Sequence, residues 1–374
     1  MNRLFRRDGL LLFGAAILFM QVSMGVGYVD VSHANSEALN KLIAAAKAEG
    51  GTFIAHATID DVRGRQEVEA AMTKMFGFKV KWDHVDFPNQ NRFAARLMKE
   101  LEAGRQPSAD VFNGTQSTIP RLLDANALVS VNDWQQLLPR IAKEAIVPGG
   151  GALVEHSRIG GLAYNTGKVP ADKVPQKLED LLDPFWKGKL ASTTYAAVWD
   201  RASITEDGNF DEEKAAKLEV LLKKLVTNGH IVGLIGCGDE NRIASAEFWG
   251  LALICGDNGV RRAKSKGAPV EITFLDETSN ISHSYMGLIK KAKYPNMAKL
   301  FMLFMQTPEG QALNQKWEFS DSSFYPENRM YKIVQDLKKR GVAPPYIDIP
   351  TYVEVKPVVE KWKTRYVNIL VGKK

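Results

Sequence analysis

The 374-residue sequence is 45% hydrophobic and 25% charged and carries a formal net charge of +6. These are ordinary globular values, and the longest run of basic residues is 338–340, so neither a disordered chain nor a nucleic-acid-binding protein is expected. The length exceeds what one hydrophobic core normally serves, which predicts two lobes.

The first 34 residues have the pattern of an export signal. Three arginines (Arg3, Arg6 and Arg7) precede an apolar run over 10–20, and small residues at Ser32 and Ala34 suit a signal peptidase. The apolar run is shorter than the ~20 residues that a membrane span needs. We therefore expect residues 1–34 to be removed and the protein to be periplasmic. An uncleaved anchor is the alternative, and general versus twin-arginine export stays open.

Helices and strands alternate through the next hundred residues. A helix from Ser36 stops at two glycines, and the pattern then predicts strands at 52–57, 79–85 and 109–112 with helices at 66–76 and 91–103. Strands that alternate with helices are typical of parallel sheets covered on both faces. The predicted fold class is therefore α/β.

In open α/β sheets the binding crevice lies beyond the carboxyl ends of the strands. The polar residues that follow predicted strands are the candidate ligand-binding residues: His56, Thr58, Asn113, Thr115, Gln116, Thr193, Thr194, Tyr195, Glu277 and Thr278. Three threonine or asparagine side chains in this set (Thr58, Asn113 and Thr193) have helix capping as an alternative role. Tyr195 has core packing as its alternative.

The hydroxyl cluster at 192–195 carries most weight among these candidates. If Thr193 or Thr194 begins a helix, the N–H groups and partial positive charge of that helix end favour a carboxylate, phosphate or phosphonate. Arg201 is close enough in sequence to add charge. Its alternative is a surface ion pair with Asp200 or Glu206.

The sequence contains two cysteines, Cys237 and Cys255. A disulfide between them would close a loop of about eighteen residues and add roughly 3 kcal/mol to stability on the loop-entropy model. Two buried free thiols are the alternative, and both interpretations stay open. Neither cysteine has metal-ligand spacing.

The segment 163–195 carries a resemblance to a known family. Its motif YNTGKVP…LEDLLDPFWKGKL resembles the inter-lobe segment of type 2 periplasmic solute-binding proteins of ABC importers, in the branch of ferric-ion, phosphonate and sugar-phosphate binders. Three further stretches are similar in the same order: LIAAAKAEGGTFIAHA, KGAPVEITFLDETS and YPNMAKLFMLFMQTPEGQALNQ. The resemblance covers roughly residues 39–320.

This resemblance implies a two-lobed fold in which each lobe is a mainly parallel sheet flanked by helices, with a cleft between the lobes. The expected division is lobe 1 at 35–140 and 272–310, lobe 2 at 141–271, and C-terminal helices at 311–374 packing across both. The implied function is capture of a small, anionic solute by hinge closure and its delivery to a permease in the inner membrane. We expect a monomer without a cofactor.

Several alternatives are weighed against that function. Ferric-ion binders of this family use an adjacent tyrosine pair near the position of Cys255-Gly256-Asp257-Asn258, and the sequence has no such pair, so no metal site of that type is expected. A metal complex held through an anion, or a sensing subunit for a membrane receptor, would use the same fold. Enzyme activity is not expected, because no nucleophile or metal-binding motif is present and the six histidines are scattered.

Overall fold

Two mixed β-sheets flanked by helices organise the chain. The computed structural model describes residues 36–56, 59–86, 89–193, 198–254 and 256–372. The predicted export signal at 1–34 lies outside these residues. Within them, none of the helices is both long enough and apolar enough to span a membrane.

Strands and helices alternate along much of the chain. The strands are β1 (Thr52–His56), β2 (Lys81–His84), β3 (Val111–Thr115), β4 (Ala152–Ile159), β5 (Gly161–Asn165), β6 (Leu190–Thr193), β7 (Ile231–Ile235), β8 (Gly250–Ile254), β9 (Val270–Thr273), β10 (Ile281–Leu288) and β11 (Tyr346–Ile347). The helices are α1 (Glu37–Ala48), α2 (Val62–Phe76), α3 (Gln90–Glu102), α4 (Ile119–Asp124), α5 (Trp134–Leu137), α6 (Glu212–Thr227), α7 (Glu240–Ala244), α8 (Asn258–Ser265), α9 (Pro295–Phe304), α10 (Pro308–Glu318), α11 (Arg329–Lys339) and α12 (Ile349–Leu370).

Local sequence accounts for where the helices begin and end. The side chain of Asp61 caps α2, that of Asn89 caps α3 and that of Asp211 caps α6, each by accepting a backbone N–H of the first turn. Helix α2 ends at Gly77, whose φ of 74° is the left-handed conformation that glycine adopts readily. These elements match the predicted helices to within a few residues at their ends.

The first sheet has the strand order β11-β10-β3-β1-β2, and β4 pairs with β10. Strands β1, β2 and β3 are parallel to one another, whereas β10 runs antiparallel to β3 and β4. The carboxyl ends of β1, β3 and β4 therefore lie at one edge of this sheet. The described strands of the second sheet have the order β7-β6-β8-β5-β9, with β6 parallel to β7 and β8 and with β5 antiparallel to β8 and β9.

Each sheet has its own hydrophobic core. In the first lobe, Phe53 stacks on Phe301 with ring centroids 4.6 Å apart, and both side chains are fully buried. In the second lobe, Trp186, Leu222 and Tyr366 belong to a separate buried cluster. The buried clusters of the two sheets are separate, which explains why a chain of this length forms two lobes.

The chain crosses between the sheets at Gly160 and again through 274–280. Strand β4, which the predicted boundaries assign to lobe 2, pairs with β10 in the first sheet, and the segment 163–195 lies within the second lobe. The chain therefore passes from one sheet to the other at later positions than the predicted boundaries at 140 and 272. At the first crossing, a Cβ on Gly161 would lie 2.5 Å from the carbonyl oxygen of Thr273, so the close approach of β5 and β9 requires glycine.

The C-terminal helix α12 contacts helices of both lobes. It packs against α6 of the second lobe and α4 of the first, and its Tyr366 hydroxyl donates to the carbonyl of Ala215 at 3.0 Å. The apolar stripe of the C-terminal sequence predicts a helix from about Val353, whereas the helix begins four residues earlier, at Ile349. The reason is that Asp348 caps the first turn and proline is tolerated there, so Pro350 does not delay the helix.

Candidate functional site

A cavity of about 400 Å³ lies where the carboxyl edges of the two sheets meet. The first lobe contributes Arg158, near the end of β4. The second lobe contributes the loops after β7 and β8 and one face of α8. The full lining is Arg158, Cys237, Gly238, Glu240, Asn241, Gly256, Asn258, Gly259, Arg262, Ala263 and Lys266.

Arg158 is the cation that the first lobe brings to this cavity. Its Nε is buried without a hydrogen-bond partner, and no carboxylate of the described residues lies within 4 Å of its guanidinium. Burial lowers the pKa of Arg158, and the nearby carboxylates Glu155 and Asp257 oppose this effect. Burying Nε without a hydrogen-bond partner has a free-energy cost, and an acidic ligand at this guanidinium would offset it.

Gly256 brings the second lobe against Arg158. A Cβ at this position would lie 3.2 Å from Cδ and 3.3 Å from Cβ of Arg158. A larger residue would therefore push against the arginine stem. The loop after β8 thus fixes the direction in which the guanidinium points.

Helix α8 supplies the opposite wall. Asn258, Arg262 and Lys266 follow one another at a spacing of four and so lie along one face. The start of the helix faces the same cavity and carries partial positive charge. The carboxylate of the N-cap residue Asp257 does not cap the first turn, because it accepts from Arg261 and Arg329 instead.

One carboxylate lies over the first turn of α8. A Cβ on Gly259 would be 2.2 Å from Oε1 of Glu240, so the glutamate side chain packs directly on that glycine. The cavity lining therefore carries three cations, Arg158, Arg262 and Lys266, against the single carboxylate of Glu240. This balance favours a ligand with an acidic group.

Arg262 also makes an ion pair across the cleft. Its Nη2 lies 2.7 Å from Oε2 of Glu318, at the end of α10 in the first lobe. Burial raises the pKa of Glu318 to about 7, with Arg262 acting in the opposite direction. The carboxylate also accepts the backbone N–H of Asp60 at 3.4 Å.

The predicted ligand residues of the first lobe lie at its cleft edge but not on this cavity. His56 ends β1 and its Nδ1 is 3.2 Å from the carbonyl of Val85. The amide of Asn113 is buried and donates to Glu155, and the Thr115 hydroxyl is 2.9 Å from that of Ser117. Gln116 is buried. The sheet brings these four residues together, and their role in ligand binding stays a prediction.

The other predicted residues divide into two groups. Thr58, Thr194 and Tyr195 lie outside the described residues. Thr193 is buried at the end of β6, Glu277 accepts the backbone N–H of Leu178 at 3.3 Å, and Thr278 is buried between β9 and β10. The described members of the predicted set and the cavity lining share no residue.

A helix beginning at Thr193 or Thr194 was the condition for anion binding there, and the described residues that follow, from 198, do not continue one. Residues 198–203 form turns, and Nε of Arg201 lies 3.8 Å from Oδ1 of Asp200. The Asp200 side chain is buried, so this pair is not the surface pair that the alternative predicted. The helix end that faces the cleft is instead that of α8. This helix begins at Asn258, which lines the cavity.

Asp200 provides a test of the second lobe's electrostatics. Burial raises its pKa from 3.8 to about 6, so its ionisation opposes folding as the pH rises through that interval. We expect Asp200→Asn to remove this pH-dependent loss of folding stability, which amounts to roughly 3 kcal/mol at neutral pH. Urea unfolding at pH 4 and pH 7.5 measures it. Equal pH dependence in the native protein and the variant would contradict the assignment.

Of the two interpretations of the cysteines, the structure supports the disulfide. Cys237 is disulfide-bonded, and its partner lies outside the described residues. Cys237 lines the cavity, so the disulfide restrains the loop after β7 that forms one wall. Across the described ranges, no group of three or more His, Cys, Asp or Glu side chains is arranged to hold a metal ion.

Sequence reasoning missed Arg158, Arg262 and Lys266. A signal for Arg158 existed, since the buried strand ALVEHSRI contains three ionisable residues. The spacing of four from Asn258 to Lys266 indicated one helix face. Nothing local, however, indicated that Arg158 and Arg262 meet across the cleft.

Several solved structures are similar to this chain. It resembles iron-bound HitA from Pseudomonas aeruginosa, with a TM-score of 0.60 and 18% identity over 85% of this chain and 99% of that one. It also resembles the Trichodesmium protein IdiA (FutA) in complex with iron and citrate. The TM-score is 0.62 and the identity is 17%, over 84% of this chain and 99% of that one. A third similar structure is that of a Bordetella parapertussis protein described as a putative extracellular solute-binding protein. Its TM-score is 0.63 and its identity is 14%, over 84% of this chain and 98% of that one.

These similarities confirm the two-lobed α/β fold that the sequence predicted. A sequence comparison with curated proteins gave no match. The family model described as "Bacterial extracellular solute-binding protein" matches residues 67–322, more than half of the chain. The chain therefore belongs to the bacterial extracellular solute-binding protein family.

Proposed function

We propose that the protein is the periplasmic receptor of an ABC importer and that it binds a small anionic solute in the cavity between its lobes. The solute's acidic group lies between Arg158 and the start of α8. The closed lobes bury it, and the closed receptor delivers it to a permease. Export by cleavage of residues 1–34 belongs to the same proposal.

The observation that carries this proposal is the unpaired guanidinium of Arg158. It comes from the first lobe, while Arg262 and Lys266 come from the second. A ligand stabilises the closed form only if it contacts both sides. An acidic group that touches Arg158 and α8 meets that condition.

A thermal-shift screen of the purified protein tests the solute class. At a hundred times its dissociation constant, a ligand adds roughly 2.7 kcal/mol to stability, which visibly raises the melting temperature. We expect shifts with sugar phosphates, phosphonates or carboxylates. A shift confined to polyamines or neutral sugars would contradict the proposal.

A metal complex of an organic anion is the second candidate. Its support is the likeness to a protein whose structure contains iron and citrate. The screen therefore includes citrate, ferric citrate and ferric ion alone. If ferric citrate shifts the melting temperature and citrate does not, the solute is the complex, and Arg158 is expected to contact its anion.

Mass spectrometry of the compound released from the protein separates binding from catalysis. A receptor returns the compound unchanged, whereas an enzyme returns a product. A sensing subunit would also return it unchanged, so we distinguish that role by whether the protein stimulates ATP hydrolysis by its reconstituted transporter. We expect stimulation.

A further inference from the structure

We propose that Glu318 and Arg329 of the first lobe form an inter-lobe latch with Arg262 and Asp257 of the second lobe, which closes the cleft without solute. We call these four residues the latch. Through it, Glu318 positions Arg262 at the cavity wall. The closure itself does not depend on the solute, whereas the role of Arg262 toward a solute rests on the proposed function.

The first-lobe half of the latch is firmly attached to that lobe. Lys316 and Trp317, just before Glu318, both donate to Glu67 of α2, at 2.7 Å and 2.9 Å. Further on, the carbonyl of Asp321 accepts the backbone N–H of Ser157 in β4 at 3.0 Å. Glu318 and Arg329 thus move with the first sheet.

Asp321 also fixes the start of α11. Its two carboxylate oxygens accept the backbone N–H groups of Arg329 and Met330, at 2.9 Å and 2.8 Å. The Nη2 of Arg329 donates to the carbonyl of Phe319 at 3.1 Å. The Arg329 side chain is therefore held in place and directed toward the second lobe.

The two ion pairs of the latch have opposite polarity. Glu318 presents a negative charge to Arg262 at 2.7 Å, and Arg329 presents a positive charge to Asp257 at 3.0 Å. Asp257 and Arg262 belong to the N-cap and the second turn of α8. A shift of α8 along the first lobe would bring like charges together, so the latch defines one closed arrangement.

The Asp257–Arg329 pair is expected to be the stronger of the two. The Asp257 side chain is 1% exposed and Arg329 is 21% exposed, whereas Arg262 is 42% exposed. Separating a buried pair leaves an uncompensated charge, while an exposed pair contributes little. When the lobes separate, Asp257 keeps Arg261, at 2.6 Å, as its partner in the same lobe.

Distance measurements between spin labels test the latch without any solute. Val62 on α2 and Val232 on β7 are 58% and 55% exposed and report on different lobes, so both are replaced with cysteine and labelled. With the native latch we expect one narrow distance distribution. With Arg329→Gln we expect a broader distribution shifted to longer distances, and with Glu318→Gln a smaller shift.

A charge exchange supplies the matched control. Glu318→Arg and Arg262→Glu should each broaden the distribution, and the two together should restore the narrow one. Simple destabilisation cannot produce such a rescue, and melting temperatures identify any variant that fails to fold. Identical distributions in native protein and Arg329→Gln, or a broad distribution in the native protein, would overturn the latch and leave the proposed solute binding intact.

Discussion

Replacing Arg158 with glutamine should weaken binding of the acidic solute by about 10- to 100-fold, because a hydrogen bond to a charged group is worth roughly 1.5–3 kcal/mol. Arg158 is the cation that the first lobe places on the cavity. Without it, an acidic group on α8 lacks a charged contact on the other lobe. Titration calorimetry with the best compound from the thermal-shift screen measures the change.

The same substitution should leave the melting temperature of the solute-free protein unchanged or higher. Arg158 has a buried Nε without a hydrogen-bond partner, so its removal relieves a cost of folding. Arg242→Gln is the matched control, since it removes an equal charge from a surface pair with Glu247 and Arg242 does not line the cavity. If both variants bind like the native protein, Arg158 does not hold the solute.

Acid should destabilise the first lobe through His283. This side chain is buried on β10, stacks on Tyr346 and lies 3.1 Å from the Ser157 hydroxyl through its Nδ1. Burial lowers its pKa from 6.5 to about 3, and repulsion from His156 adds to the effect. The neutral ring is therefore compatible with the fold and the protonated ring is not.

The direction of the pH dependence follows from this lowered pKa. The unfolded chain takes up the proton near pH 6.5 and the folded chain near pH 3, so stability is fully present above pH 6.5 and is lost as the pH falls between these values. The complete loss corresponds to about 5 kcal/mol, of which about 3 kcal/mol is expected by pH 4.5.

Urea unfolding of His283→Phe at pH 7.5 and pH 4.5 measures this contribution. Phenylalanine preserves the stacking on Tyr346 but cannot take up a proton, so the variant should lose about 3 kcal/mol less than the native protein between the two pH values. Ser157→Ala is the control, because it removes the hydrogen-bond partner and keeps the ring. A native pH dependence in His283→Phe would contradict the assignment.

Much of the fold follows from local sequence patterns. Apolar periodicity predicts a helix at 211–228 and a strand at 231–235, and the structure has α6 at 212–227 and β7 at 231–235. The positions at which the chain passes between the lobes could not be predicted from local patterns. Strand β4 and strand β5 are both mostly buried and are separated by Gly160, so only pairing with distant β10 or β9 assigns each to its sheet.

The candidate site was less predictable than the fold. The rule that ligands lie beyond strand ends selected His56 and Thr115, which end β1 and β3, and their contact with a ligand stays a prediction. It does not tell which side chains point into a cavity. Arg158 and Arg262 are 104 positions apart in sequence, and their common cavity depends on how the two lobes meet.

A crystal structure of the protein with the compound that gives the largest thermal shift tests the central claim most directly. We predict an acidic group within hydrogen-bond distance of both the Arg158 guanidinium and the first turn of α8. A solute bound beside His56 and Asn113, with Arg158 untouched, would contradict the assignment of the cavity as the binding site.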